Sequence, residues 1–127
     1  MKSRAEIPFA FVLDYLERKD PQVRRMFGCF AIYLEEKLVL VLRKRQDHLR
    51  DNGVWLATRH EHHESLQRVF PSMRPVYLLG NKPSAWQNIP ETADDFEESV
   101  VTACELVMKN DPRIGIIPKR KRSVRKR

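Results

Sequence analysis

Glycine is scarce in this chain, and its scarcity excludes a class of chemistry. Gly28, Gly53, Gly80 and Gly115 are the only four among 127 residues. None falls in a G-x-G-x-x-G or a P-loop pattern, so neither phosphate-cradling loop is expected. Cysteine is scarcer still. Cys29 and Cys104 lie 75 positions apart, form no C-x-x-C and have no histidine at zinc-finger spacing. They read as two small, buried apolar residues in a reducing compartment. No apolar run approaches the ~20 residues that span a bilayer, so no membrane partner is expected. The start, MKSRAEIPFAFVLDYLERKD, is charged, but its apolar patch breaks at Asp14. It reads as a helix rather than a signal peptide, which makes the cytoplasm the expected compartment.

Catalytic patterns are also missing. No serine sits in a nucleophile elbow. Close carboxylates occur only at Glu35-Glu36 and at 94–98, where a solvated turn and a dipole-favoured helix start account for them. No nucleophile, base and orienting group fall together, so the reading is a non-catalytic protein without a cofactor. Three of the four histidines do crowd into ATRHEHHESL (57–66). On a helix His60, His63 and Glu64 share a face, a chemically sound two-His-one-carboxylate set. The zinc spacings fail, however. H-E-x-x-H needs histidine at 64, where this chain has glutamate, and H-x-x-E-H is absent. The expectation is therefore no metal. Instead Thr58 and Glu61 predict a capping box opening a helix, with His62, Leu66, Val69 and Phe70 toward the core.

The apolar pattern is clear in most other places. FAFVLDYLERKD (9–20) has helical spacing and stops at Asp20-Pro21. VRRMFGCFAIYL turns to β-type residues, with Phe30, Ile32 and Leu34 alternating against Ala31 and Tyr33. Glu35-Glu36 predicts a tight turn. The unbroken run from Leu38 to Leu42 predicts a central strand covered on both faces. QDHLRDNG reads as a polar loop, VWLAT as a short strand, PVYLLG as a strand and NKPSAWQNIP as a loop or edge strand. ADDFEESVVTACELVMKN predicts a helix with Phe96, Val100, Ala103 and Val107 on one face. The order gives an α+β fold, a mostly antiparallel sheet with helices packed on it. One domain over 1–112 and a basic, disordered tail over 113–127 are expected.

Two segments resemble a known group. RRMFGCFAIYLEEKLVLVLRK is similar to the M-F-G, strand, turn, strand opening of TfoX N-terminal domains, with Met26, Phe27 and Gly28 at the motif. Residues 53–109 resemble the related MmcQ/YjbR group: strand and short helix over Trp55–Phe70, a strand over Pro75–Gly80, Trp86 before Pro90, and a last helix over Phe96–Lys109. The resemblance covers about residues 20–110. Cys29 stands where a second glycine is usual, and Ala57 where a lysine is common. The resemblance implies a two-layer α+β domain without agreed catalytic residues. It also implies roles of the kind linked to those groups, competence regulation or DNA binding through a double-wing surface. Ala57 removes any role that relies on the lysine.

Charge points the same way. The chain holds 24 Lys and Arg against 17 Asp and Glu, a formal net charge of +7. Its last nine residues, KRKRSVRKR, hold seven of the cations and no acid, so residues 1–118 balance at 17 and 17. Residues 1–60 carry 12 basic and 8 acidic side chains; residues 61–118 carry 5 and 9. The tail residues Lys119, Arg120, Lys121, Arg122, Arg125, Lys126 and Arg127 suit phosphates. Arg43, Lys44 and Arg45 at a strand end, with Arg24 and Arg25, extend that surface. The expected function is a DNA- or RNA-binding or regulatory module. The alternative is a protein-interaction or small-ligand module, including a homodimer.

Overall fold

A computed structural model describes residues 6–78 and 85–118. Helix α1 (Phe11–Leu16) runs into a 3-10 turn at Glu17–Lys19, closed by Asp20 in the left-handed region (φ 53°) just before Pro21. Six strands follow: β1 (Gln22–Met26), β2 (Cys29–Leu34), β3 (Lys37–Arg43), β4 (Gly53–Leu56), β5 (Arg74–Pro75) and β6 (Gln87–Pro90). Helix α2 (His63–Val69) lies between β4 and β5, and α3 (Phe96–Met108) follows β6. The sheet order is β1-β2-β3-β4-β6-β5, and every pairing is antiparallel. The fold is α+β, as expected.

All three helices pack on one face. Leu13 and Leu16 of α1, Leu66 of α2, and Val100, Ala103, Cys104 and Val107 of α3 meet Ile32, Leu40, Leu42, Val54 and Leu56 of the strands. Phe9 and Phe96 join α1 to α3, ring centroids 5.1 Å apart. The opposite face carries a smaller cluster of Cys29, Ala31, Leu38, Val41, Trp55, Ala57 and Val76, with Trp86 and Ile116 against it. β3 lies inside the sheet and is buried along nearly its whole length, because both faces are covered. This is the central strand its apolar run predicts. Both cysteines are buried and free. Burial raises both thiols, Cys104 to about 12, so neither is a ready thiolate.

The structure departs from the sequence reading in several places. β1 is a separate strand, joined to β2 by a two-residue turn at Phe27-Gly28. NKPSAWQNIP supplies an internal strand, since β6 is paired by β4 on one side and β5 on the other; residues 79–84 lie outside the described part. Among its described residues, PVYLLG contributes strand only at Pro75. The capping box is absent. A 3-10 turn over His60–His62 precedes α2, neither has a side-chain cap, and the buried Thr58 hydroxyl has no partner. Thr58 is still in the extended connection after β4, too early to reach the helix amides.

The body also runs past residue 112. Ile114 is buried, and Ile116 exchanges backbone hydrogen bonds with Leu38 at 2.8 and 2.9 Å. Arg113 grips Asp111 through Nε and Nη2 at 2.9 and 2.8 Å and donates from Nη1 to Ser65 Oγ at 2.8 Å. That guanidinium holds the Asp111 carboxyl below its usual range.

Candidate nucleic-acid interface

The candidate cations begin on the edge strand. Arg24 faces Ala31 and Arg25 faces Phe30 in the β1–β2 register, so the two arginines project from opposite faces of the sheet. Each leans on an aromatic ring of β2. The Arg24 Cζ lies 4.4 Å from the Tyr33 ring centroid and the Arg25 Cζ 4.9 Å from that of Phe30. Both are exposed and neither forms an ion pair with a described residue. Each guanidinium thus rests on a ring and has no described carboxylate to neutralise it.

Arg43 does not belong to this surface. It is 1% exposed. Its Nη1 donates to Asn52 Oδ1 at 2.7 Å and to the His48 carbonyl at 3.0 Å, and its Nη2 to Asp47 Oδ1 at 3.1 Å. The guanidinium is consumed in shaping the loop after β3, so no phosphate can reach it. Asn52 completes the loop. Its Oδ1 also accepts the Arg45 amide N–H at 3.0 Å, and its Nδ2 donates to the Arg45 carbonyl at 2.9 Å. This carboxamide imitates a strand partner, and so fixes where Lys44 and Arg45 leave the sheet. Gly53 follows at φ +148°, where a Cβ would collide with the Ile89 carbonyl.

Lys44 and Arg45 remain exposed but are partly neutralised. Lys44 Nζ meets Glu91 Oε1 at 2.7 Å. Arg45 Nε meets Asp47 Oδ1 at 3.3 Å, and its Nη1 reaches the Gly28 carbonyl at 3.4 Å. Arg45 therefore sits against the β1–β2 turn. The structure brings Arg45 and the hairpin together, sets Arg24 and Arg25 on either side of it, and removes Arg43. The seven tail cations of 119–127 lie outside the described residues.

Asp51 anchors the neighbouring segment. Its buried carboxylate accepts the Tyr77 N–H at 3.0 Å and the Leu78 N–H at 2.7 Å, and its carbonyl accepts the Trp55 indole N–H at 2.8 Å. Arg50 stacks over Tyr77, 3.9 Å from the ring centroid. The sequence shows Asp51 only as one acid in a polar loop; its two amide partners lie 26 and 27 positions away.

The histidines are placed differently from a ligand set. The His60 and His63 rings lie 4.9 Å apart, tilted by 55°, but Glu64 turns to Arg68 at 3.4 Å. His63 Nε2–H donates to the Ala85 carbonyl at 2.6 Å. His62 is half-buried beside Glu61 at 3.5 Å, and Val69 is exposed rather than packed with Leu66. Among the described residues no three His, Cys, Asp or Glu side chains are arranged to hold a metal ion. No helix among them is long and apolar enough to cross a membrane.

One further feature was not foreseen. Phe27 stands at the tip of the β1–β2 turn with φ +50°, 68% exposed. The available signal was a two-residue loop ending in glycine between two β-type runs. No protein-family model, curated protein or solved structure matches the chain.

Proposed function

We propose that this chain is a non-catalytic nucleic-acid-binding module of the TfoX/YjbR-like kind, in which the β1–β2 hairpin docks on nucleic acid and the basic segment 119–127 supplies phosphate affinity. The observation that carries the reading is the pair Arg24 and Arg25. Both are exposed, both are braced on rings, and neither has an acidic partner among the described residues. A free charge on an ordered stem loses little side-chain entropy when it meets a phosphate. Residues 1–118 balance at 17 basic and 17 acidic side chains with Arg24 and Arg25 counted, so the places that favour an anionic polymer are the hairpin and the segment after Pro118.

A salt series tests this. In fluorescence-anisotropy titrations of labelled DNA, Arg24→Gln/Arg25→Gln should lower the slope of log affinity against log salt by about 1–2, and changing the seven tail cations to glutamine should lower it further. Unchanged slopes in both variants would sink the proposal. A second reading, small-ligand binding, has one observation in its favour. A half-open cavity of about 470 Å³ lies between Arg18, Lys37 and the apolar Leu34, Val39, Val107 and Ile114. Its size is that of a small-molecule site.

A further inference from the structure

We propose that Phe27 is a stacking platform for an unpaired nucleobase, and that Arg25 and Arg45 hold the phosphates on either side of that base. The inference rests on the nucleic-acid reading above and adds the form of nucleic acid, single-stranded or looped, and the residue that selects it.

The argument starts from backbone strain. In the two-residue turn between β1 and β2 both Phe27 (φ +50°) and Gly28 (φ +77°) are left-handed. This is the hairpin turn that matches strand twist, and its first position suits Asn, Asp or Gly. A bulky side chain there is a conformational outlier. Gly28 has a local reason: its φ of +77° is one that side-chain-bearing residues rarely adopt. Phe27 has none. Its ring belongs to neither buried cluster. Among the described large apolar side chains it also shows water the largest exposed fraction. A strained backbone and a wetted ring are both unfavourable, and no packing in the described fold offsets them. An outside partner that covers the ring does.

The surroundings choose that partner. Arg45 Nη1 lies 3.4 Å from the Gly28 carbonyl, one residue from the ring. Arg25 leaves β1 two positions before Phe27, and the Cys29 thiol donates to the Phe27 carbonyl at 3.6 Å, which steadies the tip. An exposed aromatic ring on a tight turn with cations nearby is what a base with its backbone phosphates requires. A duplex keeps its base faces inside the stack, so the tip discriminates for unpaired strands. An apolar protein surface would take the ring but leave Arg25 facing no anion and Arg45 with only its partial partner Asp47.

The test uses the full chain, its Phe27→Asn and Phe27→Trp variants, and labelled single-stranded and duplex DNA of one sequence. Phe27→Asn should bind the single strand about tenfold more weakly, with an unchanged salt slope and duplex affinity within about twofold of wild type. Phe27→Trp should restore single-strand binding. Asparagine suits the left-handed position, so the Phe27→Asn melting temperature should rise, which separates lost binding from lost folding. If wild type binds with steep salt dependence and Phe27→Asn binds both forms equally well, stacking is wrong while the nucleic-acid reading stands, and the tip belongs to a protein partner. Equal losses on both forms also overturn stacking. If wild type binds neither form, both proposals fall.

Discussion

On the face covered by α1, α2 and α3, the sheet meets aliphatic and aromatic side chains that interlock across the layer. On the opposite face, a short apolar cluster is bordered by Arg43, Asn52 and Asp51, each buried and each spent on hydrogen bonds to loop or strand backbone. The first face is held by area removed from water, which is tolerant of small shifts. The second is pinned at specific donors and acceptors. Area-driven packing should fail as one cooperative unit, whereas a pin should release only the segment it holds.

The strongest way to break that contrast is Phe70→Ala. Phe70 is fully buried beneath the helices, and its truncation should cost about 3–5 kcal/mol, lowering the unfolding midpoint equally by fluorescence and circular dichroism. Non-coincident transitions would mean the helix-covered face is not one unit. Asp51→Asn should cost less, about 1–3 kcal/mol, because the Tyr77 and Leu78 N–H groups use different carboxylate oxygens and one of these becomes an NH2 donor. Amide exchange should accelerate at Tyr77 and Leu78 while α3 keeps its protection. If α3 loses protection by the same factor, the second face is not separable.

The smallest effect sharpens a border between the two faces. Asp111 is a depressed carboxyl because Arg113 hydrogen-bonds its charged form. Its contribution is present above the ordinary carboxylate value of 3.8 and is lost as pH falls through the lower folded value. Stability should therefore decline on acidification below that range, and Asp111→Asn should remove this part of the slope. An identical acid profile in the variant would show that the Arg113 clasp carries no weight.

Those parts of the fold that depend on near neighbours were legible in the sequence. The run Leu38–Leu42 announced a covered strand, Glu35-Glu36 a turn, and Val100, Ala103 and Val107 a buried helix face. β1 was hidden because an edge strand needs little apolar alternation, and QVRRM offers only Val23 and Met26, each part-exposed. The candidate interface was half legible. Arg24, Arg25 and Arg45 stand exposed, but nothing local marks Arg43 as interior. Its burial depends on a carbonyl five positions on and a carboxamide nine positions on. Phe27 reads as an ordinary strand residue until the backbone shows that the chain reverses there.

The pairing of Ile116 with Leu38 has a consequence for synthesis. Among the described residues every helix and strand lies before Lys109, yet Leu38 gains its last backbone partners from Ile116, and the Ala57 carbonyl accepts the Gly115 N–H at 2.7 Å. A nascent polypeptide whose residue 116 has not yet emerged can assemble the whole sheet but must leave part of its second face open. Contacts between residues so distant in the chain form late, and half-covered apolar surface invites aggregation in the meantime. A translation product cut short at residue 112 would carry that vulnerability permanently, so the cell's quality-control machinery would meet it as an unfinished protein although every helix and strand of the described residues is in place.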